Sequence, residues 1–251
     1  MANKLPDMLK AGAIRVVGGV AKAFFGMEFE DVMAAGCKLI HRFEGSNAIC
    51  LTFDDGPNPD ITPSILSILA RYQVRATFFI VGENARRHPE LLRAIAQDGH
   101  EIGNHTMTHP SLYWVSPSVL RREVVECQDL IAEITGERPE SFRAPYGHFR
   151  WDLARTGRLG GIRNLVCWDV SAPWQETDPE ALSAYILDHV RPGSIAGLHD
   201  NLVGVSESLR RAAGAATAMS LNTVIPYLLE RGIYCRTVSE QVQSQAERAV
   251  T

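Results

Sequence analysis

The chain has 251 residues, 45% of them hydrophobic, and its 25 basic against 29 acidic side chains give a net charge of -4. That is enough apolar material for one substantial core, and (β/α) barrels of this length commonly form a single domain. The absence of a basic stripe argues against nucleic acid as a partner, and no segment has the roughly 18 uninterrupted apolar residues of a membrane span.

Residues 1–47 read as an N-terminal extension, expected to be helical. Within it, residues 11–26 are apolar but broken by Arg15, Lys22 and four glycines. This predicts a surface helix packed on the domain. The alternative is a weak membrane-surface association through residues 1–26, with Lys10, Arg15 and Lys22 on the polar side. No signal peptide is evident. Cys37, Cys50, Cys127, Cys167 and Cys235 are scattered, with no Cys-x-x-Cys pair. An odd, scattered set fits a reducing compartment, so the expected location is the cytoplasm.

From Ala48 onward strands and helices alternate. The apolar run Ala48 to Phe53 predicts a buried strand. Thr62 as N-cap and Pro63 at the first helical position open a helix to about Tyr72. Ala76–Val81 is the next strand, Pro89–Asp98 a helix stopped by Gly99, and His100–Asn104 a strand. Ser116-Pro117 starts a longer helix, with Leu120, Val124, Cys127, Ile131 and Ile134 on one face, ended by Gly136. Ser141–Arg143, Asn164–Val170, Ser194–Leu198 and Ile233–Val238 are further strands, with helices near 180–190 and 220–231. This alternation, without hairpin signals, predicts parallel strands and right-handed crossovers. The core domain is expected to span 48–238, and 239–251 to be a polar tail.

Four places carry chemistry, each just after a predicted strand. Asp54-Asp55-Gly56-Pro57 ends the first strand in two adjacent carboxylates at a turn. The sequence is a good turn by itself. Two like charges this close also call for a positive partner, and a divalent metal would fill that need while leaving one carboxylate free for acid/base work. His105 and His109, spaced H-x-x-x-H, lie on one side of a turn, since Pro110 disfavours helix at His109. Two His and one Asp make a three-ligand set with an open position, the pattern of a catalytic metal. Arg143, in Phe142-Arg143-Ala144-Pro145-Tyr146-Gly147, can hold a carboxylate bidentately, and the turn can expose the Tyr146 N–H to an oxyanion. His199, in Leu198-His199-Asp200, is well placed for proton transfer. Of the remaining histidines, His148 flanks the Arg143 loop.

The set TFDDGP (52–57), HTMTH (105–109), RAPYG (143–147) and LHD (198–200), in this order, resembles the polysaccharide deacetylase family, also called the NodB homology domain or carbohydrate esterase family 4. The resemblance covers residues 48–238. It implies a distorted (β/α) barrel, often of seven parallel strands, that removes acetyl groups from N-acetylated amino sugars. It further implies Asp54 as general base, with Asp55, His105 and His109 as metal ligands. Arg143 would orient the base. The Tyr146 N–H would hold the oxyanion. His199 would be the general acid, and Leu198 would line an acetyl pocket, with Pro145 and Trp174 in the substrate set. The implied cofactor is a divalent ion, zinc first, with cobalt or nickel as alternatives. The implied partner is a carbohydrate of the N-acetylglucosamine type. One stretch departs from the family pattern. Trp168-Asp169-Val170-Ser171-Ala172-Pro173-Trp174 lacks the expected Asp, so Asp169, the nearest acid, is the expected partner that orients His199. Two other readings are hydrolysis of a small non-sugar amide by the same metal chemistry, and an inactive carbohydrate-binding relative.

Overall fold

The computed structural model describes residues 37–148 and 160–248. The nine strands among them are β1 (Lys38–Ile40), β2 (Ala48–Asp54), β3 (Thr77–Ile80), β4 (Glu101–Asn104), β5 (Ser141–Phe142), β6 (Asn164–Val166), β7 (Val170–Ser171), β8 (Ile195–His199) and β9 (Tyr234–Cys235). Eight of them form one parallel path, β1-β6-β5-β4-β3-β2-β8-β7, and the two-residue β9 pairs with the start of β2 off that path. The helices are α1 (Thr62–Arg71), α2 (Gly82–Arg87), α3 (Pro89–Gln97), α4 (Pro117–Thr135), α5 (Pro179–His189), α6 (Glu207–Glu230) and α7 (Val238–Arg248). The result is a distorted (β/α) barrel with eight strands on its path where seven were expected. The path gains β1, inside the stretch read as a helical extension, and β7, because the expected strand Asn164–Val170 divides in two, while the strand expected from Ile233 is the off-path β9. Residues 1–36 of that extension, including the expected surface helix, lie outside the described residues.

The strands' alternation sorts the core into two layers. Ile49, Leu51, Phe53, Phe78, Ile80, Ala196 and Leu198 face outward and pack with residues of α1, α3, α4, α5 and α6. Ile40, Phe43, Cys50, Phe79, Val166 and Ile195 fill the inside, closed by Val238 of α7. Every position of β2 is buried, which is why its sequence reads as a continuous apolar run rather than an alternating one. Because all sheet pairings are parallel, the ends of β2, β4, β5 and β8 come to one rim, and the loops carrying the four motifs meet there.

Two elements differ from expectation in a way that bears on stability. Residues 239–248, expected as a polar tail, belong to α7. Ser239 donates from its N–H and Oγ to Glu101 at 2.9 and 2.7 Å, and Gln241 Nε2 donates to Ser46 Oγ at 2.7 Å. The helix is fastened largely by polar side chains, so it shows no strong apolar stripe in the sequence. α6 begins at Glu207, well before the expected 220, with the Ser206 hydroxyl capping the Leu209 N–H, and it packs closely on the start of α1. A Cβ at Gly214 would lie 2.7 Å from the Ile61 side chain.

The segment after β1 is fastened to the segment before β8 at a seam rather than by a ladder. Arg42 forms an antiparallel bridge with Ser194, and the Phe43 N–H donates to the Gly193 carbonyl at 2.8 Å. Gly193 has φ +92, and a Cβ there would sit 2.0 Å from the Phe43 carbonyl oxygen, so only glycine fits. Asp169 is the centre of this seam. Its carboxylate accepts from the Ile195 N–H at 2.7 Å, the Ser194 hydroxyl at 2.9 Å and the Arg42 guanidinium at 3.3 Å. Asp169 is therefore not the partner of His199. It binds the start of β8, and His199 is four residues further along, about 13 Å of extended strand. Asp169→Ala is expected to lower stability by about 1–3 kcal/mol, the cost of stranding buried donors, while kcat changes little. Thermal melts beside steady-state rates check this. A large fall in kcat at unchanged melting temperature would return Asp169 to the active site.

Candidate active site

The strand alternation that places Cys50 inside the barrel also places Thr52 and Asp54 there. Opposite them lies Arg143, fully buried just beyond β5. Its Nη1 donates to Asp54 Oδ1 and to Thr52 Oγ1, both at 2.7 Å. Its Nη2 reaches the Cys167 carbonyl at 3.2 Å, and its Nε the Val166 carbonyl at 3.4 Å. The guanidinium lies 4.1 Å over the Phe79 ring and 5.2 Å from the Trp168 ring. The Asp54 contact goes through one nitrogen, so the expected bidentate grip is a single hydrogen bond. Charge pairing and full hydrogen bonding make a buried arginine tenable here.

Asp55 has φ 74, a backbone conformation costly for a non-glycine residue. Its carbonyl accepts from Asn84 Nδ2 at 2.7 Å and Asn201 Nδ2 at 3.3 Å, and its Oδ2 accepts from the Val203 N–H at 2.9 Å. The other oxygen, Oδ1, faces His109 Nε2 at 3.0 Å and His105 Nε2 at 3.4 Å. The loop that presents both histidines is anchored on α4. Asn104 donates to the Val124 carbonyl and to Gln128, and caps the Thr106 N–H. The buried Glu123 accepts from the Thr108 N–H at 2.8 Å and hydroxyl at 2.9 Å. Thr106 and His109 both hold positive φ within this loop.

His105 Nδ1 lies 2.7 Å from the Arg143 carbonyl. A carbonyl only accepts, so Nδ1 carries the proton and the Nε2 lone pair is free toward Asp55. Burial alone would raise the Asp55 carboxyl, but the facing imidazoles of His105 and His109 overcome this and hold it well below the usual carboxylate range. Burial likewise pulls His105 down, and Asp55 more than reverses it. One ligand atom from each of Asp55, His105 and His109 lies within 4.8 Å of the others, and Asp55 Oδ1 is buried without a hydrogen-bond partner. An ionised carboxylate oxygen and two imidazole nitrogens, all buried and all turned to one point, are the donor set of a divalent cation.

Asp54 and His199 are register partners across β2 and β8, so both reach the inside of the rim. Burial pushes the His199 imidazole below its ordinary value, against the charges of Asp55 and Asp54. Tyr146 sits on the 3-10 turn Pro145–Gly147 with φ 59, its ring edge-on to His109 at 4.7 Å.

A family model described as polysaccharide deacetylase matches residues 43–164. A chitooligosaccharide deacetylase of Sinorhizobium fredii is 37% identical over 203 residues, covering 78% of this chain and 92% of that one. A peptidoglycan-N-acetylglucosamine deacetylase of Bacillus cereus is 31% identical, covering 80% and 70%. The crystal structure of a peptidoglycan N-acetylglucosamine deacetylase matches with a TM-score of 0.74 and 26% identity, over 86% of this chain and 96% of that one. The chain belongs to the polysaccharide deacetylase family. It is accordingly a hydrolase that acts on carbon–nitrogen bonds.

Within this deacetylase fold the structure sorts the sequence-derived site residues. Asp54, Asp55, His105, His109, Arg143, Pro145, Tyr146 and His199 all come to one rim. Leu198 does not. It points to the outer layer, 1% exposed in the core beneath the helices. The inner position beside His199 is Gly197, where a Cβ would lie 3.3 Å from the Trp168 indole, and a Cβ at Gly147 would lie 3.5 Å from the same ring. Period-two alternation from His199 was the available signal: it puts 197, not 198, on the active face. Trp174 stands half-exposed after β7.

Several residues of this deacetylase site were not expected from the sequence. Thr62, read as an N-cap, donates instead to Asp200 at 2.6 Å and accepts from the Asn58 N–H at 2.8 Å, while Ile61 occupies the cap position. Burial pushes the Asp200 carboxyl up to about 7. Gly56 is required beneath it, because a Cβ there would fall 2.1 Å from Asp200 Oδ2. Asn84 and Asn201 fix the backbone of a candidate ligand. Either Asn84→Ala or Asn201→Ala is expected to weaken divalent-metal affinity roughly 10- to 100-fold, the usual effect of removing an outer hydrogen-bond partner. Competition with a chromogenic chelator measures it, and unchanged affinity in both variants would show that Asp55 holds its place without them.

Proposed function

We propose that this chain removes acetyl groups from N-acetylglucosamine units of an oligo- or polysaccharide, using a divalent metal held by Asp55, His105 and His109. The observation that carries the reading is the cradle of three buried donors beside Asp54 and His199 on adjacent strands. A cation there supplies Lewis-acid chemistry, polarising an acyl oxygen and lowering the pKa of a water. Three ligands with an open position suit zinc first, and cobalt or nickel also fit the donor set.

The chain's own groups then divide the work. Arg143 fixes Asp54 Oδ1, leaving the second oxygen to take the proton of the attacking water. The water oxygen adds to the acetyl carbon. The Tyr146 N–H is assigned to the oxygen that becomes anionic, since the turn's own hydrogen bonds run from Gly147 and His148. His199 gives a proton to the departing nitrogen as the carbon–nitrogen bond breaks, so the products are acetate and a free amine. Without that proton the amide nitrogen is a very poor leaving group.

The test is acetate release from N-acetylglucosamine oligomers before and after exhaustive dialysis against chelator, followed by zinc or cobalt. Loss and return of activity is expected. Full activity with no metal bound would overturn the metal assignment. Oligomer binding without acetate release in the metal-loaded protein would favour a carbohydrate-binding relative instead.

A further inference from the structure

We infer that Tyr146, His148, Tyr113 and Trp114 form a platform that carries the sugar units flanking the one being deacetylated, so that the enzyme gains from substrate chain length. The inference rests on the reading above and deepens it. The rings form a continuous row that starts at a candidate metal ligand. Centroids are 4.7 Å apart from His109 to Tyr146, 5.5 Å from Tyr146 to His148 and 4.6 Å from His148 to Tyr113. Exposure is 8% at His109, 58% at Tyr146 and 38% at Tyr113, so the row begins buried at the centre and runs to the surface, where Trp114, next to Tyr113 on the same turn, stands 87% exposed.

The row is held rather than loose. Ser111 Oγ lies 2.8 Å from His148 Nδ1, which fixes that ring. Tyr113 and Trp114 belong to the 3-10 turn Leu112–Trp114, whose Leu112 is fully buried in a core with Leu120, Val124 and Phe142. An almost fully exposed tryptophan beside an exposed tyrosine, on an anchored turn, is apolar surface without a folding role.

The chemistry favours a neutral sugar. A pyranose has apolar C–H faces and a hydroxyl edge, and Tyr, His and Trp rings offer an apolar face with a polar handle. No Asp, Glu, Lys or Arg occurs between His105 and Leu120, nor between Ala144 and His148. The two segments that carry the row thus bring no Asp, Glu, Lys or Arg of their own, which suits a carbohydrate better than an ionic partner. Its continuity with the candidate centre commits it to the same chain whose acetyl group is removed.

The experiment measures kcat/KM on N-acetylglucosamine oligomers of one to five units for the metal-loaded wild type, Trp114→Ala, Tyr113→Ala and Tyr234→Ala. Tyr234 is an exposed tyrosine on β9, where it pairs with the start of β2 away from the rim. In the wild type kcat/KM is expected to rise with length. In Trp114→Ala and Tyr113→Ala the pentamer-to-monomer ratio is expected to fall roughly 3- to 10-fold, through KM, the scale of one lost aromatic contact. Tyr234→Ala is expected to keep the wild-type ratio. A ratio unchanged in both rim variants, or lowered equally in Tyr234→Ala, would overturn the platform. Calorimetric titration with the pentamer separates this from failure of the deacetylase reading. If the wild type releases no acetate, weaker pentamer binding by Trp114→Ala still supports the platform, and equal binding overturns it.

Discussion

Asp54→Asn is expected to keep its metal and lose roughly 10²- to 10⁴-fold in kcat, the range for a general base, whereas Asp55→Ala is expected to lose the metal itself. The two carboxylates are neighbours in sequence but not in environment. Asp54 is gripped by Arg143 inside the barrel, and an Asn there still offers an oxygen to Nη1 but cannot take a proton from water. Asp55 is turned by its positive φ toward His105 and His109, with its carbonyl held by two asparagines and one carboxylate oxygen left without a hydrogen bond. Metal analysis of the purified variants, beside acetate release, separates the roles. Near wild-type turnover in Asp54→Asn would remove it as the base, and full metal content in Asp55→Ala would remove it as a ligand.

The second large effect is at Arg143. Arg143→Leu takes away the only guanidinium facing Asp54 among the described residues and leaves a buried carboxylate unpaired, along with the Val166 and Cys167 carbonyls. Breaking one side of a buried ion pair costs about 3–5 kcal/mol. For a chain of this size that is a fall of roughly 6–20 °C in melting temperature. Arg143→Lys keeps the charge but not the fork that reaches Thr52 and both carbonyls, so it is expected to fold and to turn over slowly. The double variant Asp54→Asn/Arg143→Leu should regain part of the lost stability, because the stranded charge is gone. A melting temperature within about 2 °C of wild type for Arg143→Leu would mean that the pair contributes little to the fold, against the usual cost of an unpaired buried charge.

The candidate centre was legible in the sequence because its parts are local. Asp54 and Asp55 stand at a strand end before Gly-Pro, His105 and His109 share one turn, and Arg143 and His199 each follow a short strand. Residue type and a strand boundary suffice to mark such positions, and parallel topology then brings the strand ends to one rim. The resemblance to the deacetylase family rests on these same short stretches, so it named the centre and Arg143 beside it but gave no sign of Asn84, Asn201 or Thr62.

What the tertiary structure decided lies in contacts across long sequence separations. Asp169 looked like the partner of His199 because it is the nearest acid in a stretch that lacks the Asp of the family pattern. The register places its carboxylate against Ser194 and Ile195 at the opposite end of β8, where it also pairs with Arg42. Thr62 looked like a helix cap, but Asp200, 138 residues away, claims its hydroxyl. Asn84 and Asn201 carry no mark of their own in the chain, and only the fold brings both amides to one carbonyl. α7 has too little apolar periodicity to be read as a helix, because polar groups of β4 and the β1–β2 loop hold it. Composition and spacing determined the chemistry at each strand end. Which side chains hold that chemistry in place was set by register and by the packing of helices on the sheet, and neither is written in any single stretch of sequence.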